Sequence, residues 1–309
     1  MYDLIIIGGG PAGLTAMLYA IRKQIDALLI SPDLGGKTNY HMTWHTSDDI
    51  QHAVRGVDIV NDLRRELESL DFAHRLEPVV SVEKNDDEIF IVSLPSGETL
   101  SAQSVIVATG SSVQQLNVPG EKELVGHGVS YSAVSYAPFM EGKKATVVGD
   151  GMLAVRAVAE LSPVAEEIYL VAPTPGELDA PVAKRLISRQ KVKVFESYQV
   201  TAIEGDGFVN RVVLDAPDGQ QTEIDTDTVF IQLGLVPNIG FVKCLVTVDG
   251  KDQIMVDNAA RTSCLGLFAA GDVTNAYGEQ VLVAIGEGAK AALSAAEYLS
   301  FRKALEQEL

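Results

Sequence analysis

Two glycine clusters carry the plainest chemistry in this sequence. The first, Gly8-Gly9-Gly10-Pro11-Ala12-Gly13, follows an apolar, β-branched run from Tyr2 to Ile7 and precedes Leu14, Met17, Leu18 and Ile21 at helical spacing. That pattern is a strand, a tight turn and a helix. Gly8 permits the turn out of the strand, Gly10 lets the backbone approach a pyrophosphate, and Gly13 lets the helix pack close to the sheet. The helix start offers free N–H groups and a positive dipole end, so an anion is favoured there without a lysine. The second cluster, Gly149-Asp150-Gly151-Met152-Leu153-Ala154, follows the strand pattern Ala145 to Val148 and precedes a helix from Val155 that stops at Ser162-Pro163. Gly149, Gly151 and Ala154 keep the spacing of a pyrophosphate cradle, while Asp150 adds a negative charge beside the anion unless it points to solvent.

Residues further along the chain decide what each cradle would hold. The acidic partner of a ribose normally falls about 20 residues after the first glycine. Here that stretch reads Ile30-Ser31-Pro32-Asp33, and Ser31 or Asp33 either takes the role or forms a turn. After the strand Ile168 to Val171, the second cluster is followed by Ala172, Pro173 and Thr174, then Glu177 and Asp179. Those carboxylates repel a ribose 2′-phosphate, and no arginine stands ready to pair with one. Near the other end, Gly266 to Asp272 reads as a strand running into Gly271-Asp272, and Glu279-Gln280-Val281 opens a long helix through Ala284, Gly288, Ala291, Ala295 and Leu299. An aspartate ending a strand is the plain reading of Asp272. The helix beside it favours a carboxylate on the ribityl hydroxyls of a flavin, with the positive helix end facing the charge of a reduced ring.

The elements that position these residues repeat. After the first cluster come a strand at Ala27 to Ile30, a helix around Val57 to Leu70, and strands near Leu76 to Val82, Ile89 to Leu94 and Ser104 to Ala108, closing on Thr109-Gly110. After the second come Ile168 to Val171, then a meander of Lys191 to Phe195, Gln199 to Glu204 and Arg211 to Asp215, closed by Thr228 to Leu233 and Gly234. The expected fold is α/β, with two doubly wound, Rossmann-like three-layer domains, the second inserted into the first. The expected boundaries are 1–115 with 245–309 for the first domain and 116–244 for the second.

Composition narrows the partners. The 309 residues are 47% hydrophobic and 21% charged, enough for full cores, and 24 basic against 42 acidic residues leave −18. That charge is spread along the chain and disfavours nucleic acid and anionic membranes. The chain opens directly on a strand pattern, without a basic leader or cleavage site and with no apolar run near about 18 residues, so a cytoplasmic location is expected. Cys244 and Cys264 sit in apolar surroundings and read as buried thiols; a relocated redox pair is the alternative. The stretch Thr38 to His52 holds Asn39, Tyr40, His41, Trp44, His45 and His52, an aromatic or histidine contact to a flavin ring or else a loop or dimer surface. No cysteine joins His41 and His45 and the stretch lacks a helix pattern, so no metal is expected.

Taken in order, Gly8 to Gly13, Gly35-Gly36-Lys37, Val107-Ala108-Thr109-Gly110, Val118-Pro119-Gly120-Glu121, Leu235-Val236-Pro237-Asn238, Gly271-Asp272 and the helix from Gln280 resemble the low-molecular-weight thioredoxin reductases from end to end. The resemblance implies FAD bound by both ends of the chain, an inserted pyridine-nucleotide domain and a homodimer. It carries cofactor contacts to Gly8, Gly10, Pro11, Ala12, Gly13, Ser31, Gly36, Lys37 and Val80, to Ala108, Thr109 and Gly110, and to Gly271, Asp272, Gln280 and Val281. In the inserted domain it carries a second nucleotide site to Gly149, Asp150, Gly151, Met152, Leu153 and Ala172.

The chemistry departs from the family at Gly128 to Tyr136. Such reductases carry a Cys-x-x-Cys pair and then an aspartate; here Ser132 and Ser135 hold the sulfur positions and Tyr136 the acid's. A serine hydroxyl neither ionises near neutral pH nor forms a disulfide, so this segment cannot cycle electrons. Natural divergence and a deliberate paired replacement both give this pattern. The His-Arg-Arg cluster with which the family's NADPH enzymes read a 2′-phosphate is also missing. The reading that results is an FAD-dependent oxidoreductase independent of pyridine nucleotide, with a second FAD in the inserted domain, similar to the diflavin-linked disulfide oxidoreductase branch. Its partner would be a redox protein or a small-molecule electron donor or acceptor. A ferredoxin/NAD(P) reductase-like electron transferase without a dithiol and a non-catalytic flavin-binding sensor are the alternatives.

Overall fold

A computed structural model describes residues 1–40, 56–176, 178–188 and 191–307. The expectations for His41, Trp44, His45, His52 and Glu177 lie outside the described residues. In chain order, β1 (Tyr2–Ile7), α1 (Pro11–Arg22), β2 (Ala27–Ile30), α2 (Gly56–Glu68), β3 (His74–Arg75), β4 (Ser81–Lys84), β5 (Phe90–Ser93), β6 (Thr99–Val107) and β7 (Ser111–Val113) come first. Then follow β8 (Val129–Ser130), α3 (Ala133–Tyr136), β9 (Lys144–Val148), α4 (Met152–Leu161), β10 (Glu167–Ala172), α5 (Pro181–Ile187) and β11 (Val192–Glu196). The chain continues through β12 (Gln199–Gly205), β13 (Val209–Asp215), β14 (Gln221–Asp225), β15 (Thr228–Ile231), β16 (Leu235–Pro237), β17 (Leu267–Ala269) and α6 (Val281–Gln307). By packing, the described residues divide into two units: Met1–Asn39, 56–112 and 236–307 form one, Val113–Leu235 with Tyr40 the other. No helix among the described residues is long and apolar enough to cross a membrane.

In the first unit the sheet runs β3-β2-β1-β6, with β17 parallel on the last half of β6 and the antiparallel β5 and β4 on its first half. Strand alternation gives the layers. Leu4 and Ile6 of β1 face Leu14 and Met17 of α1 and Ala291, Ala295 and Leu299 of α6, whereas Ile5 and Ile7 face Phe90, Val92 and Ile254 on the opposite side. Of the expected strand at Leu76 to Val82 only Ser81 and Val82 lie in a strand, β4, while β3 ends before it at Arg75; Pro78 in the gap has no N–H for a ladder. Asn238, Ile239 and Val242 pack in this unit.

The second unit has a parallel sheet in the order β11-β10-β9-β15-β8 and an antiparallel sheet β12-β13-β14. Val147 and Leu170 face Ala154, Val158 and Leu161 of α4, while Val148 and Val171 face Val212 and Leu214 of the antiparallel layer. β11 corrects the expected meander: it pairs parallel with β10 from Ile168↔Val192 to Ala172↔Glu196, as a strand returning after a crossover helix does. The third strand of the meander is instead β14, whose Gln-Thr-Glu-Ile-Asp sequence buries only Ile224 and so carries little apolar pattern.

Candidate functional site

The first turn is built around three glycines with different duties. Gly8 has φ +112, its N–H donates to Ile30 O at 2.9 Å, and a Cβ on it would lie 2.3 Å from Ala108 O. A Cβ on Gly13 would lie 1.8 Å from Gly8 O, so α1 sits directly on the turn. A Cβ on Gly10 would meet nothing within 4 Å, which leaves the backbone open there. Gly10 also caps α1 without a side-chain hydrogen bond, so the first helical N–H groups have no side-chain acceptor. An uncapped helix start at an open glycine is a cradle of the right chemistry for a diphosphate, and the residues present fit the ADP half of FAD.

The flanking segments close around this turn. Ser31 is buried, and its Oγ accepts the Gly9 N–H at 2.8 Å. Asp33 is engaged in its own loop, accepting from Gly36 N–H at 2.9 Å and Asn39 Nδ2 at 3.2 Å. Lys37 Nζ lies 2.5 Å from Asp272 Oδ2 and donates to Ser111 Oγ at 3.0 Å. Thr109 and Gly110 are clasped by Asn238, which accepts from Thr109 Oγ1 at 2.7 Å through its carbonyl, donates from Nδ2 to Thr109 O at 3.0 Å, and donates from its backbone N–H to Gly110 O at 3.0 Å. Gln280 accepts the Ala284 N–H as α6 begins at Val281. Val80 is exposed, its N–H bonded to Ser93 O at 2.9 Å.

Glu287 is the residue that sequence reasoning missed. Its Oε2 accepts the Gly271 N–H at 2.8 Å, directly before Asp272. Burial pushes its carboxyl up, against the opposing pull of the Gly271 N–H and Lys290. Next to it, a Cβ on Gly288 would lie 2.1 Å from Ala12 O, so α6 touches the first turn of α1. The available signal was a lone acid between Gly286 and Gly288 on an alanine-rich helix.

The second turn repeats the backbone with other side chains. Gly149 has φ +154, its N–H donates to Val171 O at 2.9 Å, and a Cβ on it would lie 2.4 Å from Gln232 O. Gly151 caps α4, again without a side-chain hydrogen bond. Met152 is partly exposed at the helix start, Leu153 is half-buried, and Ala172 is buried at the end of β10. Asp150 does not point free into solvent: its Oδ2 accepts from Thr174 Oγ1 at 2.5 Å. Asp179 is exposed and pairs with Lys184 at 2.8 Å, which holds its carboxyl below the usual range.

Ser132 and Ser135 meet, with Ser132 Oγ donating to Ser135 Oγ at 2.8 Å at the start of α3. The preceding Tyr131 donates to Glu121 Oε1 at 3.0 Å, and Glu121, wholly buried, also accepts the N–H groups of Leu116 and Asn117. Burial, and then Glu121, push the Tyr131 hydroxyl up. Tyr136 packs against Phe139 and the α4 side of the core. The reading of both cysteines as buried is corrected: Cys244 is exposed on a short 3-10 turn, Lys243–Leu245, and Cys264 is half-buried near Tyr298. Both thiols are free. Among the described residues no group of three or more His, Cys, Asp or Glu side chains could hold a metal ion.

Known proteins share this architecture. The chain is 32% identical over 301 residues to an NADH dehydrogenase of Bacillus subtilis and 32% identical over 305 residues to the F component of the alkyl hydroperoxide reductase of Pseudomonas putida. Each alignment covers 96% of this chain, which spans only 58% of the length of either relative. The crystal structure of thioredoxin reductase from Streptococcus pyogenes superposes with a TM-score of 0.87 at 31% identity, covering 97% of this chain and 98% of that one. The family model described as pyridine nucleotide-disulphide oxidoreductase matches residues 2–288, both glycine turns and Asp272 included, and the chain belongs to that family.

Proposed function

We propose that this chain is a flavin-dependent oxidoreductase that holds FAD in its first unit and, in its second, an adenine nucleotide other than NADPH, with a second FAD as the preferred occupant. The observation that carries the flavin site is the cradle at Gly10, open where Gly8 and Gly13 are walled in and placed at an uncapped helix start. FAD bound there supplies reversible electron exchange. Pro11, Ala12 and Gly13 present the helix start to its diphosphate, with Ser31 and Gly36 shaping the wall. Asp272 takes the ribityl hydroxyls, with Lys37 and Glu287 fixing its position. Val80, Ala108, Thr109, Gly110, Gln280 and Val281 complete the expected contacts. The names of the relatives, a dehydrogenase and a hydroperoxide reductase component, and of the thioredoxin reductase structure support a redox reaction.

Three features support a nucleotide other than NADPH. β10 is followed by Pro173-Thr174, a stretch without a cation to pair with a 2′-phosphate, Asp150 stands in the turn, and Asp179 occupies Lys184. Ser132 and Ser135, hydrogen-bonded to one another, leave the family's dithiol position without sulfur. That hydroxyl pair favours a second reading, a ferredoxin reductase-like electron transferase. The assembly is a homodimer acting with a redox protein or a small electron carrier. Cofactors released from the protein and counted per chain test the proposal, together with anaerobic titration by NADPH, NADH and dithiothreitol. Two flavins per chain and no stoichiometric bleaching by NADPH are expected. A colourless chain that binds no added FAD, or one bleached by micromolar NADPH, overturns it.

A further inference from the structure

The bond between Thr174 and Asp150 has consequences for ligand choice. In doubly wound folds the adenosine ribose lies over the C-terminal ends of the first two strands, where an acid at the end of the second strand accepts from the 2′-hydroxyl. Here those strands are β9 and β10, and β10 ends on Ala172. A carboxylate reaches the same gap from the other side, because Asp150 follows β9, Thr174 follows β10, and their 2.5 Å bond spans the ends of two adjacent parallel strands. The loop is fastened in that place. Gly176 has φ +46, and a Cβ on it would lie 2.3 Å from Asp150 O and 2.7 Å from Asp150 Cβ, so residues 173–176 pack onto the turn. Pro173 O accepts from Gln199 Nε2 at 3.3 Å and ties the loop to β12.

We infer that Asp150 is the ribose-reading carboxylate of the second unit, moved from the end of the second strand into the glycine turn, and that with Thr174 it selects an adenosine ribose with a free 2′-hydroxyl over one carrying a 2′-phosphate. The inference rests on the reading that this unit holds an adenine nucleotide. A carboxylate accepts from the vicinal hydroxyls of a ribose, and its second oxygen remains available while Oδ2 accepts the hydrogen bond from the Thr174 hydroxyl. A 2′-phosphate would set two further negative charges against it. Lys184, the next described cation along the chain after the loop, pairs with Asp179. The competing account is that the Asp150 bond only fastens the loop, as Asp33 does for Gly36 in the first unit.

The Asp150→Asn variant separates the two accounts. Its amide oxygen still accepts from Thr174, so the loop stays fastened, while the charge is gone. Calorimetric titration of the full chain carrying one FAD equivalent, with ADP, NADH and NADPH as probes, reads the preference. In the parent, NADH is expected to bind at least tenfold more tightly than NADPH. Asp150→Asn should shrink that ratio below threefold, and Thr174→Val, which keeps the carboxylate, should weaken NADH severalfold while keeping the ratio above tenfold. An unchanged ratio in Asp150→Asn with an unchanged melting temperature overturns the inference alone, as does a parent that binds ADP but ranks the two dinucleotides equally. Failure of ADP to bind at millimolar concentration removes the nucleotide reading of the unit, and the inference with it.

Discussion

The two glycine turns are the same backbone solution carrying opposite side-chain chemistry. The first residue of each donates its N–H to the neighbouring strand at 2.9 Å, Gly8 to Ile30 and Gly149 to Val171. Each is walled on its Cβ side by the carbonyl of the strand that closes the motif, Ala108 O in one case and Gln232 O in the other. They part at the third small residue and at the loop. Gly13 leaves 1.8 Å between a notional Cβ and Gly8 O, whereas Ala154 carries a real Cβ, 3.1 Å from where one on Gly149 would stand. α1 is thus pressed between its turn and α6. Across the loop, the first turn meets a neutral hydroxyl, Ser31, and the second presents a carboxylate, Asp150. Backbone geometry is therefore common to both units, and selectivity resides in the few side chains placed over it.

The sharpest way to break this comparison is to exchange the third residue. Gly13→Ala drives a Cβ into a backbone oxygen that cannot rotate away, and α1 cannot retreat because Gly288 of α6 lies against Ala12 O. The expected loss is about 3 kcal/mol, the upper end of overpacking costs, together with most of the bound flavin. Ala154→Gly in the second turn should cost only about 1 kcal/mol, a helix-propensity effect. Thermal melts with flavin counted per chain check both, and equal losses would mean that the turns do not differ as described. Next in size is Asp272→Asn. Losing a charge-assisted acceptor costs about 1.5–3 kcal/mol, so FAD should bind roughly 10- to 150-fold more weakly in fluorescence titration. An affinity within twofold of the parent would remove Asp272 from the flavin site.

Both turns were legible in the sequence because glycine is the residue type that their geometry demands, and because each is followed by a helix of clear apolar spacing. The layers were legible from strand alternation in runs such as Leu4-Ile5-Ile6-Ile7. Long-range pairings were not. Nothing in the spacing of Gly286-Glu287-Gly288 says that Glu287 reaches the Gly271 N–H, and nothing in Pro173-Thr174 announces a bond back to Asp150. The residues of β11 suit either sheet, and only the crossover after β10 decides its partner. β14 was hidden by its polar sequence, since one buried residue sets no period.

A smaller effect concerns the hydroxyl pair of the second unit. Ser132 Oγ and Ser135 Oγ are 2.8 Å apart, close enough that sulfurs in their place need only a modest adjustment to reach bonding distance near 2.0 Å. Ser132→Cys with Ser135→Cys should therefore lose two thiols on mild oxidation, counted in denaturant against the parent's free Cys244 and Cys264. The ring closed is short, so the stability gained should stay below about 2 kcal/mol. Flavin content should not change. Two persistent extra thiols after oxidation would show that the hydroxyl contact does not reflect a competent geometry.

The smallest expected effect tests the contact by which α6 holds the Gly271 peptide in the first unit. Burial raises the Glu287 carboxyl above its ordinary range, so the folded state holds this proton more tightly than the unfolded chain does. For an acid shifted upward, the stabilisation is complete below the unfolded carboxylate's pKa and is lost as pH rises through the folded one. Glu287→Gln keeps an amide oxygen to accept the Gly271 N–H and has no proton to lose. Relative to this variant, the parent should therefore become less stable as pH climbs from 4 toward 8. The side chain is only half-buried, and solvent screening should keep the difference below about 1 kcal/mol. Melting temperatures of both proteins across that range measure it. A difference that stays flat, or a parent that gains on the variant as pH rises, would show that burial does not govern this carboxyl and that α6 holds the Gly271 peptide by shape alone.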